Sequence, residues 1–121
     1  MNRRRHPRIS IQVPVVYRTL NADEEPLEPL PGVVIDVSPG GVLLKSSGAP
    51  PGEDVLISFV DVEKQTTEIR CKRVYFLKAS NGVANSGLTF AGSKGDRHKF
   101  VTGIIRANFY RQKEELGGKT E

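Results

Sequence analysis

The sequence predicts an all-β domain, a six-stranded antiparallel β-barrel with one C-terminal helix. Three observations predict it. Apolar residues recur with a period of two in short runs between residues 10 and 90, clusters of Gly, Pro and Asn separate those runs, and the period changes once, near residue 100, to that of a helix. Strands this short, each with one apolar face, bury that face best by curling into a small barrel.

The elements follow in chain order. Residues 1–9 read as a flexible basic arm. In the first strand Ile11, Val13, Val15 and Tyr17 alternate with Ser10, Gln12, Pro14 and Arg18. Pro14 lacks an amide donor, so this strand is expected at an edge or with a bulge. Asn21 to Pro31 is acidic and proline-rich, the signature of a solvated loop. Gly32 to Val37 is a β-branched strand, Ser38 to Gly41 a turn, and Val42 to Lys45 the returning strand. A second turn at Ala49 to Gly52 leads to Val55, Ile57 and Phe59, which alternate again. Thr66 to Leu77 is a longer strand whose inward parity shifts between Cys71 and Val74, which predicts a bulge near Lys72. Asn81-Gly82 is a turn signal, and Val83 to Phe90 is the last strand.

Phe100, Val101, Ile104, Ile105 and Phe109 fall on one helical face. Ser93 or Asp96 is expected to cap the helix start and Gly117-Gly118 its end. Gly103 disfavours a helix by about 1 kcal/mol against alanine, which predicts close packing there. The organisation is thus an arm at 1–9, a barrel at 10–116 with its helix at about 94–116, and a tail at 117–121.

Composition bounds the function. The 121 residues suffice for one domain with a modest core. No apolar run reaches the roughly 20 residues of a membrane span. No apolar stretch of signal-peptide type follows the basic start, so cytoplasmic residence is expected. Cys71 is the only cysteine, which excludes an internal disulfide; in an alternating strand it reads as a buried small hydrophobe. His6 and His98 are the only histidines and have no cysteine near them, so no metal site and no cofactor are expected. Ser38 lacks a triad partner and Gly40-Gly41 lacks a P-loop lysine, so no enzyme is expected.

Charge is unevenly placed. Arg3, Arg4, Arg5 and Arg8 carry the whole net charge of +4; setting those four aside from the 18 Lys and Arg leaves 14 cations against 14 Asp and Glu. Arginine grips phosphate bidentately, stacks on flat rings and stays charged. Downstream, Asp36-Val37-Ser38-Pro39-Gly40-Gly41 forms a turn. If Ile35 and Val37 are core, alternation turns Asp36 outward, where its carboxylate can accept from the adjacent N–H donors of a guanine edge. Glycine at 40 or 41 lets a base or ribose approach the backbone. Arginines for phosphate and a carboxylate for a planar donor edge together describe a guanine nucleotide. Arg70, Lys72, Arg73 and Lys78 form a second basic stretch, which reads as a solvated strand face.

The two motifs together resemble the PilZ domain family, the bacterial receptors for cyclic di-GMP. Arg3-Arg4-Arg5-His6-Pro7-Arg8 matches the family's RRxxxR, and Asp36 to Gly41 its [DN]xSxxG. Gly87-Leu88-Thr89-Phe90 is similar to the Gly-apolar-x-Phe strand before the family's helix. The resemblance implies a non-enzymatic cyclic di-GMP receptor whose arm wraps the ligand on the outside of the barrel. Arg4 and Arg8 would contact phosphates and guanine Hoogsteen edges, and Arg3 would assist. Asp36 and Ser38 would read guanine or ribose polar groups. Gly40 and Gly41 would give clearance, with Arg5 and Gly87 in support. The ordered arm would alter the surface shown to a separate downstream protein, the chain itself being a monomer or weak dimer.

Two other classes remain open. One is a PilZ-like module that assembles with proteins irrespective of nucleotide. The other is a small barrel that binds single-stranded nucleic acid. Against the latter, Trp is absent and Tyr17, Tyr75 and Tyr110 are scattered.

Overall fold

The computed structural model describes residues 7–119. The chain forms β1 (Ile9–Thr19), β2 (Leu30–Ser38), β3 (Gly41–Ser46), β4 (Asp54–Val60), β5 (Thr66–Lys78), β6 (Ala84–Phe90) and α1 (Lys94–Lys119). The strands close into an antiparallel barrel in the order β1-β2-β3-β6-β5-β4. Period-two alternation sends Ile11, Val13, Val15 and Tyr17 of β1 inward, where Val34, Leu44, Ile57, Cys71 and Leu88 meet them. Phe100 and Ile104 of α1 plug the interior, and Phe100 stacks edge-on against Phe59 and Phe90 at centroid distances of 5.3 and 5.6 Å.

Closure is incomplete along one seam. β1 pairs with β2 from Ile9 to Tyr17 but with β4 only from Val16 to Thr19. The first half of β1 therefore has a free flank, and Pro14 sits within it, as its missing donor requires. N–H groups two residues apart point the same way along a strand, so Gln12 faces the same flank. Its amide is taken by the Asn108 side chain of α1 at 2.9 Å.

Three register irregularities interrupt the ladders, one in β1 against β2 between Ser10 and Val13 and two that shape the outer wall. In β2 the register against β3 slips between Val34 and Asp36, so Ile35 is an extra residue. The core positions are consequently Val34 and Val37, and Ile35 is only half-buried, not the core residue that strict alternation predicts. In β5 the slip lies between Arg73 and Tyr75, which places the bulge at Val74 rather than near Lys72. Past it the strand does not return to the core. Val74 and Leu77 are each 68% exposed because the β5–β6 hairpin projects beyond the barrel.

The helix also differs from expectation at its far end. Ser93 is the cap, its hydroxyl accepting from the Asp96 amide at 3.1 Å. At the other end α1 runs through Gly117 and Gly118 to Lys119. A glycine stops a helix by taking a left-handed φ, and among the described residues only Gly82, at 89°, is a glycine that does so. Gly103 packs closely, as expected: a Cβ there would stand 3.3 Å from Phe59 Cζ. Phe109 does not join the buried face. It is 73% exposed, because at 3.6 residues per turn it stands on the opposite side of α1 from the buried Phe100.

The segment before β2 is more ordered than a plain solvated loop, and Leu30 and Pro31 already belong to the strand. Asn21 Oδ1 accepts from the Asp23 and Glu25 amides, which supports Glu24 at a left-handed φ of 61°. Glu24 then meets Arg70 at 2.6 Å, and Arg70 also lies 3.7 Å from Asp54. Arg73 donates to the Pro51 carbonyl at 2.6 Å and covers the Phe76 ring. The second basic stretch is thus partly tied down by neighbours.

Candidate functional site

A concavity of about 270 Å³ opens on the outer wall of the barrel, between the β2–β3 turn and the middle of β5 and β6. Its position follows from the two bulges. The extra residue at Ile35 keeps Asp36 off the core face, and the extra residue at Val74 lifts β5 outward to make the opposite wall.

Arg8 stands at the mouth, one residue before β1 begins. Its Nη1 lies 3.3 Å from Asp36 Oδ2. The two are unequally solvated, with side chains 42% and 17% exposed. The second carboxylate oxygen, Asp36 Oδ1, is buried and has no hydrogen-bond partner among the described residues. A shielded, unpaired carboxylate oxygen is a costly arrangement that a donor would relieve. Ser38 borders the same space, its hydroxyl reaching the Gly41 carbonyl only at 3.5 Å. That long contact leaves the hydroxyl available to a better partner.

The three glycines here have different reasons to be glycine. A Cβ on Gly41 would collide with the Leu88 carbonyl oxygen, so Gly41 permits β3 to close on β6 rather than clearing space for a ligand. A Cβ on Gly40 would meet nothing within 4 Å, so the open side of the turn is there. The Gly40 carbonyl points back into the fold, accepting from the Phe90 amide at 2.9 Å and the Thr89 hydroxyl at 3.1 Å. A Cβ on Gly87 would strike the Tyr75 ring, so Gly87 lets that ring lie across β6.

Tyr75 and Val74 therefore form the apolar wall facing Arg8 and Asp36. Sequence reasoning did not single them out. The available signal was Gly87 inside a strand, since such a glycine invites an aromatic neighbour across the ladder. Of the residues expected in the site, Arg8, Asp36, Ser38, Gly40, Gly41 and Gly87 all line this concavity. Arg3, Arg4 and Arg5 lie outside the described residues.

The arrangement offers a guanidinium, a carboxylate with an oxygen to spare, a hydroxyl and a flat aromatic face. It fits a ligand that joins an anionic group to a planar ring bearing N–H donors. Among the described residues no three His, Cys, Asp or Glu side chains gather to hold a metal. Cys71 is fully buried elsewhere, and burial pushes its thiol up to about 12. No described helix is long and apolar enough to cross a membrane.

Comparison with known proteins agrees with this fold. The family model described as PilZ domain matches residues 2–104. Comparison with curated protein sequences gives no match. Among solved structures, the PilZ domain with c-di-GMP of YcgR from Escherichia coli is similar at a TM-score of 0.65 and 18% identity, over 96% of this chain and 98% of that one. The Bacillus subtilis inhibitor of motility MotI/DgrA is similar at 0.59 and 13%, over 97% of this chain and 53% of that one. The PilZ domain of CeSA from a cellulose-synthesizing bacterium is similar at 0.56 and 23%, over 82% of this chain and 98% of that one.

Proposed function

Because the chain belongs to the PilZ domain family, we propose that it is a non-enzymatic receptor for cyclic di-GMP, bound in the concavity between Arg8 and Tyr75. One observation carries the reading: Asp36, 17% exposed, holds Arg8 with one oxygen and leaves the other buried with no partner among the described residues. A guanine edge supplies the missing N–H donors, and a phosphodiester gives Arg8 a second acceptor. Tyr75 offers the base a face to stack on. The bound YcgR domain from Escherichia coli supports the choice of ligand, since it shares this fold.

Arg3 and Arg4 complete the site in this reading. They lie five and four residues before Arg8, and an extended chain spans at most about 3.5 Å per residue, or roughly 15 Å. That suffices to reach across one cyclic dinucleotide from its solvent side. Ligand binding would fix the arm on the barrel, and a separate downstream protein would read the altered surface. Fixing each residue costs about 1–2 kcal/mol, which charge-assisted bonds of about 1.5–3 kcal/mol each can offset. Cyclic di-GMP is a messenger of the bacterial cytoplasm, which is where this reading places the protein.

Calorimetric titration with cyclic di-GMP tests it. Wild type should release heat at micromolar ligand. Arg8→Ala and Asp36→Ala should each weaken binding by at least about tenfold, or about 1.4 kcal/mol. Melting temperatures should change little, because a half-exposed ion pair contributes only about 0–1 kcal/mol. Silence of the wild type at high micromolar ligand rules the function out.

A further inference from the structure

The seam along β1 carries an inference beyond the ligand site, although it rests on that site being occupied by cyclic di-GMP. Four observations meet there. β1 has no β4 partner before Val16. The Gln12 amide, on that open flank, is bound instead by Asn108 Oδ1 at 2.9 Å, across 96 residues of sequence. Ser10, two residues before Gln12, is paired with Asp36 of the candidate site, and Arg8 contacts Asp36 directly. Asn108 follows Ala107, the last buried residue of α1 among those whose burial is described, and precedes Phe109 and Tyr110, which are 73% and 48% exposed.

Asn108 therefore sits at a joint. On one side is the end of β1 that bears the arm. On the other is the described stretch of α1 beyond Ala107, in which no residue is buried. The β1–β2 register is irregular between Ser10 and Val13, within this same stretch, so the strand end has a soft place at which to shift. We infer that Asn108 is a positioning residue: it replaces the missing strand neighbour at Gln12, and through that bond occupancy of the Arg8–Asp36 site reaches the stretch of α1 beyond Ala107. Phe109 and Tyr110 would form part of the surface that changes. The bond is a single neutral one, so the coupling it transmits is small, of about fivefold.

Amide hydrogen exchange of the full chain with and without cyclic di-GMP, alongside calorimetry, tests this. In wild type, ligand should slow exchange at Gln12 and change it from Phe109 to Glu114. Asn108→Leu removes the acceptor at similar volume. It should weaken binding by about fivefold and abolish the ligand response of the helix. Asn108→Asp keeps an oxygen in place and should restore the response, which a role in packing alone would not predict. Three results overturn the inference. One is wild-type binding with no ligand effect at Gln12 or the helix. A second is a helix response that survives in Asn108→Leu. The third is a calorimetrically silent wild type, which removes the receptor reading as well and is thereby told apart from the others. Should Asn108→Leu fail to fold, the wild-type exchange at Gln12 and the Asn108→Asp response decide alone.

Discussion

Substituting alanine at Gly40 and at Gly41, one residue apart in the same motif, should have opposite consequences. At Gly41 the new methyl would collide with the Leu88 carbonyl oxygen and stand 3.1 Å from both the Leu88 carbonyl carbon and the Thr89 Cα. All three are backbone atoms, so no side chain can swing away. Strand β3 must lift off β6 at the Gly41–Thr89 rung. The neighbouring bonds from the Phe90 amide and the Thr89 hydroxyl to the Gly40 carbonyl would be strained with it. Losing two or three such bonds at about 1 kcal/mol each predicts a loss of about 2–3 kcal/mol. For a domain of this size that is a fall of about 8–12 °C in melting temperature. At Gly40 the methyl meets nothing within 4 Å and the φ is not left-handed, so stability should stay within about 0.5 kcal/mol of wild type. Because Gly40 lines the concavity, Gly40→Ala should still weaken cyclic di-GMP binding. Scanning calorimetry and ligand titration of both variants measure this. Melting of Gly41→Ala within about 3 °C of wild type, less than 1 kcal/mol for this size, would refute the packing argument. So would a Gly40→Ala protein that melts below Gly41→Ala.

Tyr75→Ala should weaken cyclic di-GMP binding about fivefold or more, since base–aromatic stacking is worth about 1–3 kcal/mol, while its 42% exposure keeps the stability change small. Fluorescence or calorimetric titration reads the first and a thermal melt the second. Cys71 should resist thiol reagents in the native protein at pH 8 and react only on unfolding, because burial pushes its thiol up to about 12. The same shift gives an alkaline limit. Between the ordinary value of 9.0 and about 12 the unfolded chain loses a proton that the folded chain keeps, so this contribution is whole below 9.0 and declines as pH rises. Cys71→Ser melted across pH 8–11 should show a shallower fall than wild type. Asp61 is the acid counterpart: its carboxyl is held below 3.8, chiefly by the Gln65 amide. Protection of the β4–β5 hairpin amides of Glu63 and Gln65 should be present above that pH and fade below it, and Asp61→Ala should lack it throughout.

Strand number, strand order along the chain and the helix were legible because each rests on a local period. Ile11, Val13, Val15 and Tyr17 announce one inward face whatever the rest of the chain does. The bulges were not legible in the same way. Whether the extra residue is Lys72 or Val74 depends on which register β6 imposes, and β6 pairs Arg73 with Leu88 but Tyr75 with Gly87. The condition that Ile35 and Val37 are both core fails at Ile35 for the same reason, since an alternation continued through an unseen bulge reverses its sense. Phe109 shows a further limit. Nine positions after Phe100, at 3.6 residues per turn, it stands half a turn round from that buried residue and faces away from the barrel although it is apolar.

The site shows how much weight each motif residue can bear. Of Asp36-Val37-Ser38-Pro39-Gly40-Gly41, Val37 is core, Ser38 turns toward its own Gly41 carbonyl, and Gly41 is fixed by the close approach of β6. Val37 and Gly41 would be required by a barrel that bound nothing, and the long Ser38 contact is local to its own turn. A match at those positions therefore argues for the fold more than for the ligand. Asp36 is different. Nothing in the packing of β2 demands a carboxylate there, and its buried oxygen finds no partner among the described residues while Arg8 takes the other. A residue that the fold does not need, kept in an unfavourable state and facing an arginine across an open concavity, is what a binding site requires before its ligand arrives. The functional argument accordingly stands on Arg8 and Asp36, and variants at those two positions bear on it more directly than any change to the glycines.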